Sequence, residues 1–315
     1  MVKKTKKKSS ARHAIVHQVM KHIQRSQHGK SIDLAEIRQA HEMAENLEAT
    51  VVSDDELSGF DPLHALYAYA QNIIQTWALY LLRLPECRKI ASNLAEADRE
   101  YMPAYPPMSP ITSSYFCYWA FFDLKAGPGK ESIGDIVIKV SQKLSSLQNL
   151  LTLYQNMQDS RMGLYFHEGS KGKRIRLKEL ITEKELTCIS PSGYLGMPGE
   201  LWFARILPDP FPAYPFGYAV VIATPYVVGK NEGGFFKNTG CLQEWLAFFE
   251  RTLPKTGESD RRRAYEMLMK DGLGQHYWNE FIFTSYANYT DNVVFLAGIP
   301  DLPESMPHSE QNALY

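Results

Sequence analysis

The sequence predicts an α+β fold, with an N-terminal helical domain followed by a small antiparallel β-barrel-like module packed with C-terminal helices. Three observations carry this. Apolar residues recur at helical spacing up to residue 160, residues 163–229 hold short β-type runs punctuated by Gly and Pro, and helical spacing returns from Gln243. At 315 residues the chain exceeds one hydrophobic core. It divides into a basic, partly disordered arm (1–30), a helical domain (31–160), a β-rich α+β domain (161–302) and a flexible tail (303–315).

The arm comes first. Residues 1–30 carry nine Lys or Arg and no acid, so a net charge of −1 leaves −10 on the other 285 residues. Lys3, Lys4, Lys6, Lys7, Lys8 and Arg12 are candidate phosphate contacts, because such an arm binds nucleic acid by releasing counterions without reading sequence. The same charges also suit a solvated tail lying on the protein's own acidic surface, or an anionic lipid surface. His13 and His17 share a helical face at a spacing of four, but no third ligand is spaced to join them, so no metal site is expected.

Pro62 to Pro85 holds the clearest helix, with Leu63, Leu66, Tyr67, Ala70, Ile73, Ile74, Trp77, Ala78 and Leu81 on one stripe and Asp61-Pro62 as cap and first residue. Residues 62–82 lack Lys, Arg, Asp and Glu, yet interior His64, Gln71, Asn72, Gln75 and Thr76 argue against a membrane span. A shorter helix ends near Tyr101, and Pro103, Pro106, Pro107 and Pro110 mark an extended connection. The apolar run Tyr115–Phe122 suits a helix or a strand. Ile133, Val137, Val140, Leu144, Leu147, Leu151 and Tyr154 form a heptad seam, either for packing inside the domain or for a second chain, and Ser145-Ser146 is a candidate break.

In the β module, Gly169-Ser170-Lys171-Gly172 reads as a hairpin turn between Gly163–His167 and Lys173–Leu177. Further runs at Leu186–Ser190, Glu200–Leu207 and Tyr218–Val228 make five or six short strands, enough for a small barrel. Between the last two lies Pro208–Phe216, with four Pro and three aromatics. Phe211, Tyr214 and Phe216 form either an aromatic binding surface held stiff by Pro or a cover over the barrel's open end. Beyond it, Gln243–Leu253, Asp260–Met269 and Tyr277–Tyr289 read as helices, and Asp291–Pro300 as a turn and a final strand.

Catalytic signatures are sparse. Gly29-Lys30-Ser31 lacks the leading Gly and strand of a phosphate loop, and no nucleophile elbow, zinc-protease motif or dinucleotide fingerprint occurs. Arg161 and His167, with five residues between them, resemble the Arg-x4–6-His spacing of HEPN ribonucleases, which implies an RNA-cleaving pair in a helical setting. His167-Glu168 with Lys171, Lys173, Arg174 and Arg176 reads either as a phosphate-holding, proton-moving cluster or as the wet face of a sheet. The strand Gly199–Pro208 is similar to β-rich segments beside SEC-C metal-binding motifs, but the cysteine-rich motif itself is absent and no function is carried over.

Cys87, Cys117, Cys188 and Cys241 show no ligand or disulfide spacing and read as buried thiols of a reducing, cytoplasmic compartment. No apolar stretch follows the basic start, so no signal peptide and no transmembrane segment is expected, and no cofactor either. The leading functional reading is a non-enzymatic binding or regulatory protein engaging nucleic acid or a protein partner. One alternative is a phosphodiesterase- or nuclease-type hydrolase centred on the Arg161–His167 hairpin with Lys173. Another is an oligomeric assembly subunit using the heptad helix 133–154.

Overall fold

The computed structural model describes residues 14–28, 59–101, 110–144, 148–233, 235–238, 241–273, 286–289 and 293–297. These fall into two compact units, Met1–Glu96 with Leu124–Gln158, and Ala97–Asp123 with Asp159–Tyr315. The class is α+β, with a closed five-stranded barrel that has helices both N-terminal and C-terminal to it in sequence.

The first unit holds α1 (Ile15–His28), α2 (Pro62–Arg83), α5 (Ile133–Leu144) and α6 (Leu151–Asp159), with most of α3 (Arg88–Tyr101). Asp61 caps α2 by accepting from the N–H groups of Leu63 (3.0 Å) and His64 (3.4 Å), with Pro62 in the first turn. Leu63, Tyr67, Ala70, Ile74, Ala78 and Leu81 are the buried stripe of α2, and the helix packs against α5. At the start of α5, Ser132 Oγ accepts from the Asp135 N–H (3.1 Å) while Asp135 accepts from the Ser132 N–H (2.9 Å), a reciprocal cap. The buried Glu131 carboxylate accepts from the Ile15 N–H (2.6 Å) at the first residue of α1 and from Lys139 Nζ (3.2 Å). Among the described residues, no helix is long and apolar enough to cross a membrane.

The second unit is built on a Greek key. Strands β1 (Met162–Lys171), β2 (Arg174–Glu179) and β3 (Glu185–Ile189) pair in sequence, and β4 (Leu201–Leu207) returns to lie beside β1. The short β5 (Ala219–Val221) then pairs antiparallel with β4 and parallel with β3, through Cys188↔Ala219 and Ile189↔Val220, which closes the barrel. Its interior holds Tyr165, Ile175, Leu177, Cys188, Trp202 and Val221. Strand β6 (Tyr226–Glu232) extends the sheet from β4 and carries the short β7 (Phe235–Lys237), followed by β9 (Val294–Ala297) parallel to β6 and β8 (Tyr286–Tyr289) antiparallel to β9.

Helices cover one side of this barrel. Every residue of β4 is buried, so both of its faces are packed. The outer face meets α4 (Pro110–Phe122), where Arg205 lies 5.5 Å from the Tyr118 ring and Tyr115 packs on Tyr226 at 4.9 Å. α7 (Leu242–Thr252) joins α8 (Arg261–Asp271) through the Phe249–Tyr265 edge contact, and the Tyr265 hydroxyl accepts from the Leu164 N–H on β1 (2.9 Å).

Several expectations change. The aromatic run 115–122 is helical, and it belongs to the barrel's unit. The heptad segment holds α5, ending at Leu144, and α6, starting at Leu151, with the candidate break Ser145-Ser146 outside the described residues, and Val137, Val140 and Tyr154 of the seam are buried. The hairpin turn is tighter than read: β1 runs on to Lys171, Gly172 (φ +60°) and Lys173 make the turn, and Gly169 sits at a bulge instead. Tyr286–Tyr289, read as the end of a helix, is strand β8, because pairing with β9 overrides a short helical pattern. Cys117 is exposed, whereas Cys87, Cys188 and Cys241 are buried. His13 and the C-terminal tail lie outside the described residues.

Candidate nucleic-acid interface

The bare side of the barrel is β2 with its two flanking turns. Alternation along β2 puts Ile175 and Leu177 inside, fully buried, and leaves Arg176 exposed with Arg174 and Lys178 half-exposed. Lys171 and Lys173 flank the β1–β2 turn, both exposed. Residues 169–178 therefore carry five cations and no acid. Among the described residues, Lys171, Lys173, Arg174 and Arg176 have no ion pair, while Lys178 makes a long one to exposed Glu183 (3.7 Å). Thr187 stands opposite Arg176 on β3 and Glu185 opposite Lys178, while half-exposed Glu168 stands at the β1 bulge beside Gly169.

The β4–β5 loop meets this hairpin. The Asp209 carboxylate accepts from the N–H groups of Phe211 (3.1 Å) and Gly217 (3.0 Å), which closes the loop on itself, and Gly217 supplies the positive φ of +76°. Phe211 packs near Phe216 at 6.3 Å, and Phe216 meets Tyr218 edge-on at 5.8 Å. The Arg174 guanidinium lies 3.2 Å above the Tyr218 ring. A continuous series thus runs from Phe211 through Phe216 and Tyr218 to Arg174, joining an aromatic loop to a cationic hairpin. Tyr214 is 88% exposed and Phe211 38%, so these rings face water. Nη1 of Arg174 is buried with no hydrogen-bond partner.

The residues of the hydrolase reading have structural partners. Arg161 binds Glu179 through both amino groups, Nη1 to Oε1 at 2.6 Å and Nη2 to Oε2 at 3.3 Å, and lies over the Tyr265 ring. Burial opposes its charge, but the Glu179 hydrogen bond prevails and holds its pKa above the usual range. The Thr182 hydroxyl donates to the same carboxylate. His167 is fully buried on β1 beside Trp202; the Gly169 N–H donates to its Nδ1 (3.1 Å), so Nε2 carries the proton and donates to the Leu195 carbonyl (2.8 Å). Both residues flank or lie in a strand, without the helical setting that the ribonuclease spacing implies. Lys173 stands apart from them, exposed at the turn. Burial pushes the thiols of Cys87 and Cys188 up to about 12, so neither is a nucleophile at neutral pH.

Sequence reading missed Lys178, Tyr218 and the buried charge cluster on the opposite side. Arg205, the lone charge in an otherwise apolar strand, pairs with Asp123 (2.8 and 3.2 Å) and donates to Ser160 Oγ (2.8 Å) and the Ser160 carbonyl (2.6 Å). Lys270 binds the same Asp123 at 2.5 Å. A charged residue inside a run buried on both faces is the signal that announces such a partner. Lys3, Lys4, Lys6, Lys7, Lys8 and Arg12 lie outside the described residues. Among the described residues no cluster of His, Cys, Asp or Glu is grouped to hold a metal ion. No family model matches the chain, and neither a curated protein nor a solved structure is matched.

Proposed function

We propose that the protein is a non-enzymatic nucleic-acid-binding protein, with the β2 face, the β1–β2 turn and the β4–β5 loop as its folded interface and the basic arm as an auxiliary contact. The observation that carries this is the Arg174–Tyr218 stack, which unites five cations with an exposed aromatic loop. Unneutralised cations clustered on one barrel face favour a polyanion. Small five-stranded Greek-key barrels recurrently bind oligonucleotides and oligosaccharides on the face of strands 2 and 3 and in the loops 1–2 and 4–5. The excess of cations over acids on β2 favours the charged ligand of those two.

Binding of labelled DNA and RNA across a salt series tests this, comparing the full chain with one in which Lys3, Lys4, Lys6, Lys7 and Lys8 are Gln. The expected result is salt-sensitive binding by both, with a shallower salt dependence when the arm is neutralised. Binding lost entirely with the arm would transfer the affinity from the barrel to the arm. Absence of binding by either protein at low salt would overturn the nucleic-acid reading.

A further inference from the structure

We infer that the barrel interface takes unpaired strands, with bases stacking on the rings of the β4–β5 loop while phosphates meet Arg174 and Arg176; this rests on the nucleic-acid reading of the same interface. The cationic face alone does not discriminate, since a duplex and a single strand both present phosphates. The rings do. A base in a duplex is already stacked on both sides, whereas an unpaired base offers its face to an aromatic side chain.

Three features suit the loop to that task. Tyr214, at 88% exposed, packs its ring on little of the protein itself. Pro208, Pro210, Pro212 and Pro215 each fix φ, and Asp209 ties the loop's ends at Phe211 and Gly217, so a stacking base orders little additional backbone. Phe211 and Phe216 continue the platform toward Tyr218 and Arg174.

Arg174 is the second, independent pointer. Its guanidinium lies over the Tyr218 ring, partly withdrawn from water, with Nη1 lacking an acceptor. A cation that is partly desolvated and not neutralised gains more from an incoming anion than a solvated one does. Gly169 lies opposite Arg176 at the β1 bulge, and the Arg176 Nη2 comes within 3.9 Å of the position a Cβ would occupy there, so the glycine leaves that guanidinium room. From Arg174 to Lys178 the strand runs about 13 Å at roughly 3.3 Å per residue. That length suits a short segment of roughly four nucleotides, the low end for a small barrel.

The test uses the full chain with a fluorescein-labelled single-stranded 12-mer and the corresponding duplex, as DNA and as RNA. Wild type is compared with Tyr214→Ala, Tyr214→Phe and Arg176→Gln, with poly-glutamate as a charge-matched competitor. Tyr214→Ala is expected to weaken single-strand binding by about 5- to 100-fold, leaving duplex binding and the salt slope unchanged. Tyr214→Phe, which keeps the ring, should bind as wild type does. Equal single-strand and duplex affinity, insensitive to Tyr214→Ala but weakened by Arg176→Gln, would overturn the unpaired-strand inference and leave the nucleic-acid reading standing. Displacement of the strand by poly-glutamate at matched charge would overturn the inference in favour of an acidic peptide. If no oligonucleotide binds at low salt, both readings fall together.

Discussion

The two sides of the barrel treat the same side chain in opposite ways. On the covered side, Arg205 is held by the buried carboxylate of Asp123, to which Lys270 adds a second cation, and at the buried end of β2 Arg161 is held by Glu179. On the bare side, Arg174 and Arg176 have no carboxylate among the described residues, and an aromatic ring takes the place of an acid beneath Arg174. The difference teaches how to sort arginines from the structure alone. An Arg whose charge is answered inside the fold is spoken for, while one whose charge is left open on a surface has its partner elsewhere.

The comparison breaks first if the covered side proves unimportant. Asp123→Ala removes the carboxylate shared by Arg205, 1% exposed, and Lys270, and removing one partner of a buried pair costs about 3–5 kcal/mol. Urea unfolding should show the midpoint falling accordingly, and a loss under 1 kcal/mol would mean the network is not a structural anchor. Glu179→Gln removes the charge that answers Arg161 while keeping the shape, with an expected loss of about 2–3 kcal/mol. Replacing both partners by Arg161→Met and Glu179→Leu should cost less than the two single changes added together, because the pair couples. Additive losses would show that the two residues act separately.

Much of this architecture was legible, and the failures have physical causes. The capped stripe of Pro62–Arg83 needs only local spacing, and β2, β3 and β4 need only alternation or a continuous apolar run between Gly and Pro. The membership of α4 was not legible, because Tyr115 and Asp123 find Tyr226 and Arg205 far along the chain. Periodicity also cannot register continuity, so the seam from Ile133 to Tyr154 left one helix and a break at Ser145-Ser146 both open. The interface was half legible. The cations of residues 171–176 and the rings of residues 211–216 were both visible, but only the parallel β3–β5 pairing brings Tyr218 under Arg174.

The barrel interior, shared by both sides, gives a reference that is insensitive to the comparison. Burial raises the Cys188 thiol from 9.0 to about 12. Below pH 9 the thiol is neutral in both the folded and the unfolded chain, so its full contribution to stability is present. As pH rises from 9 toward 12 only the unfolded chain ionises, so stability is lost at up to about 1.4 kcal/mol per pH unit. Cys188→Val should flatten that part of the alkaline decline in a pH series of unfolding midpoints. An unchanged decline would assign it to other groups, such as the buried tyrosines Tyr165 and Tyr265, which burial also raises.

The smallest expected stability change is on the bare side. Arg176→Gln with Lys178→Gln removes no buried contact, since Arg176 is exposed and the Lys178–Glu183 pair is long and solvated, so the unfolding midpoint should move by no more than about 0.5 kcal/mol. On the proposed nucleic-acid reading, the same double change removes two phosphate contacts. It should lower the slope of log affinity against log salt by about 1.4 for single strands, at roughly 0.7 per contact. These two readouts place the variant opposite Asp123→Ala, which is expected to be costly to folding and silent in the salt slope of whatever folded protein remains. A double variant that destabilises the fold and leaves the slope unchanged would mean the β2 cations serve the barrel as Arg205 does. The distinction between answered and open charges would then fail at the residues on which it rests.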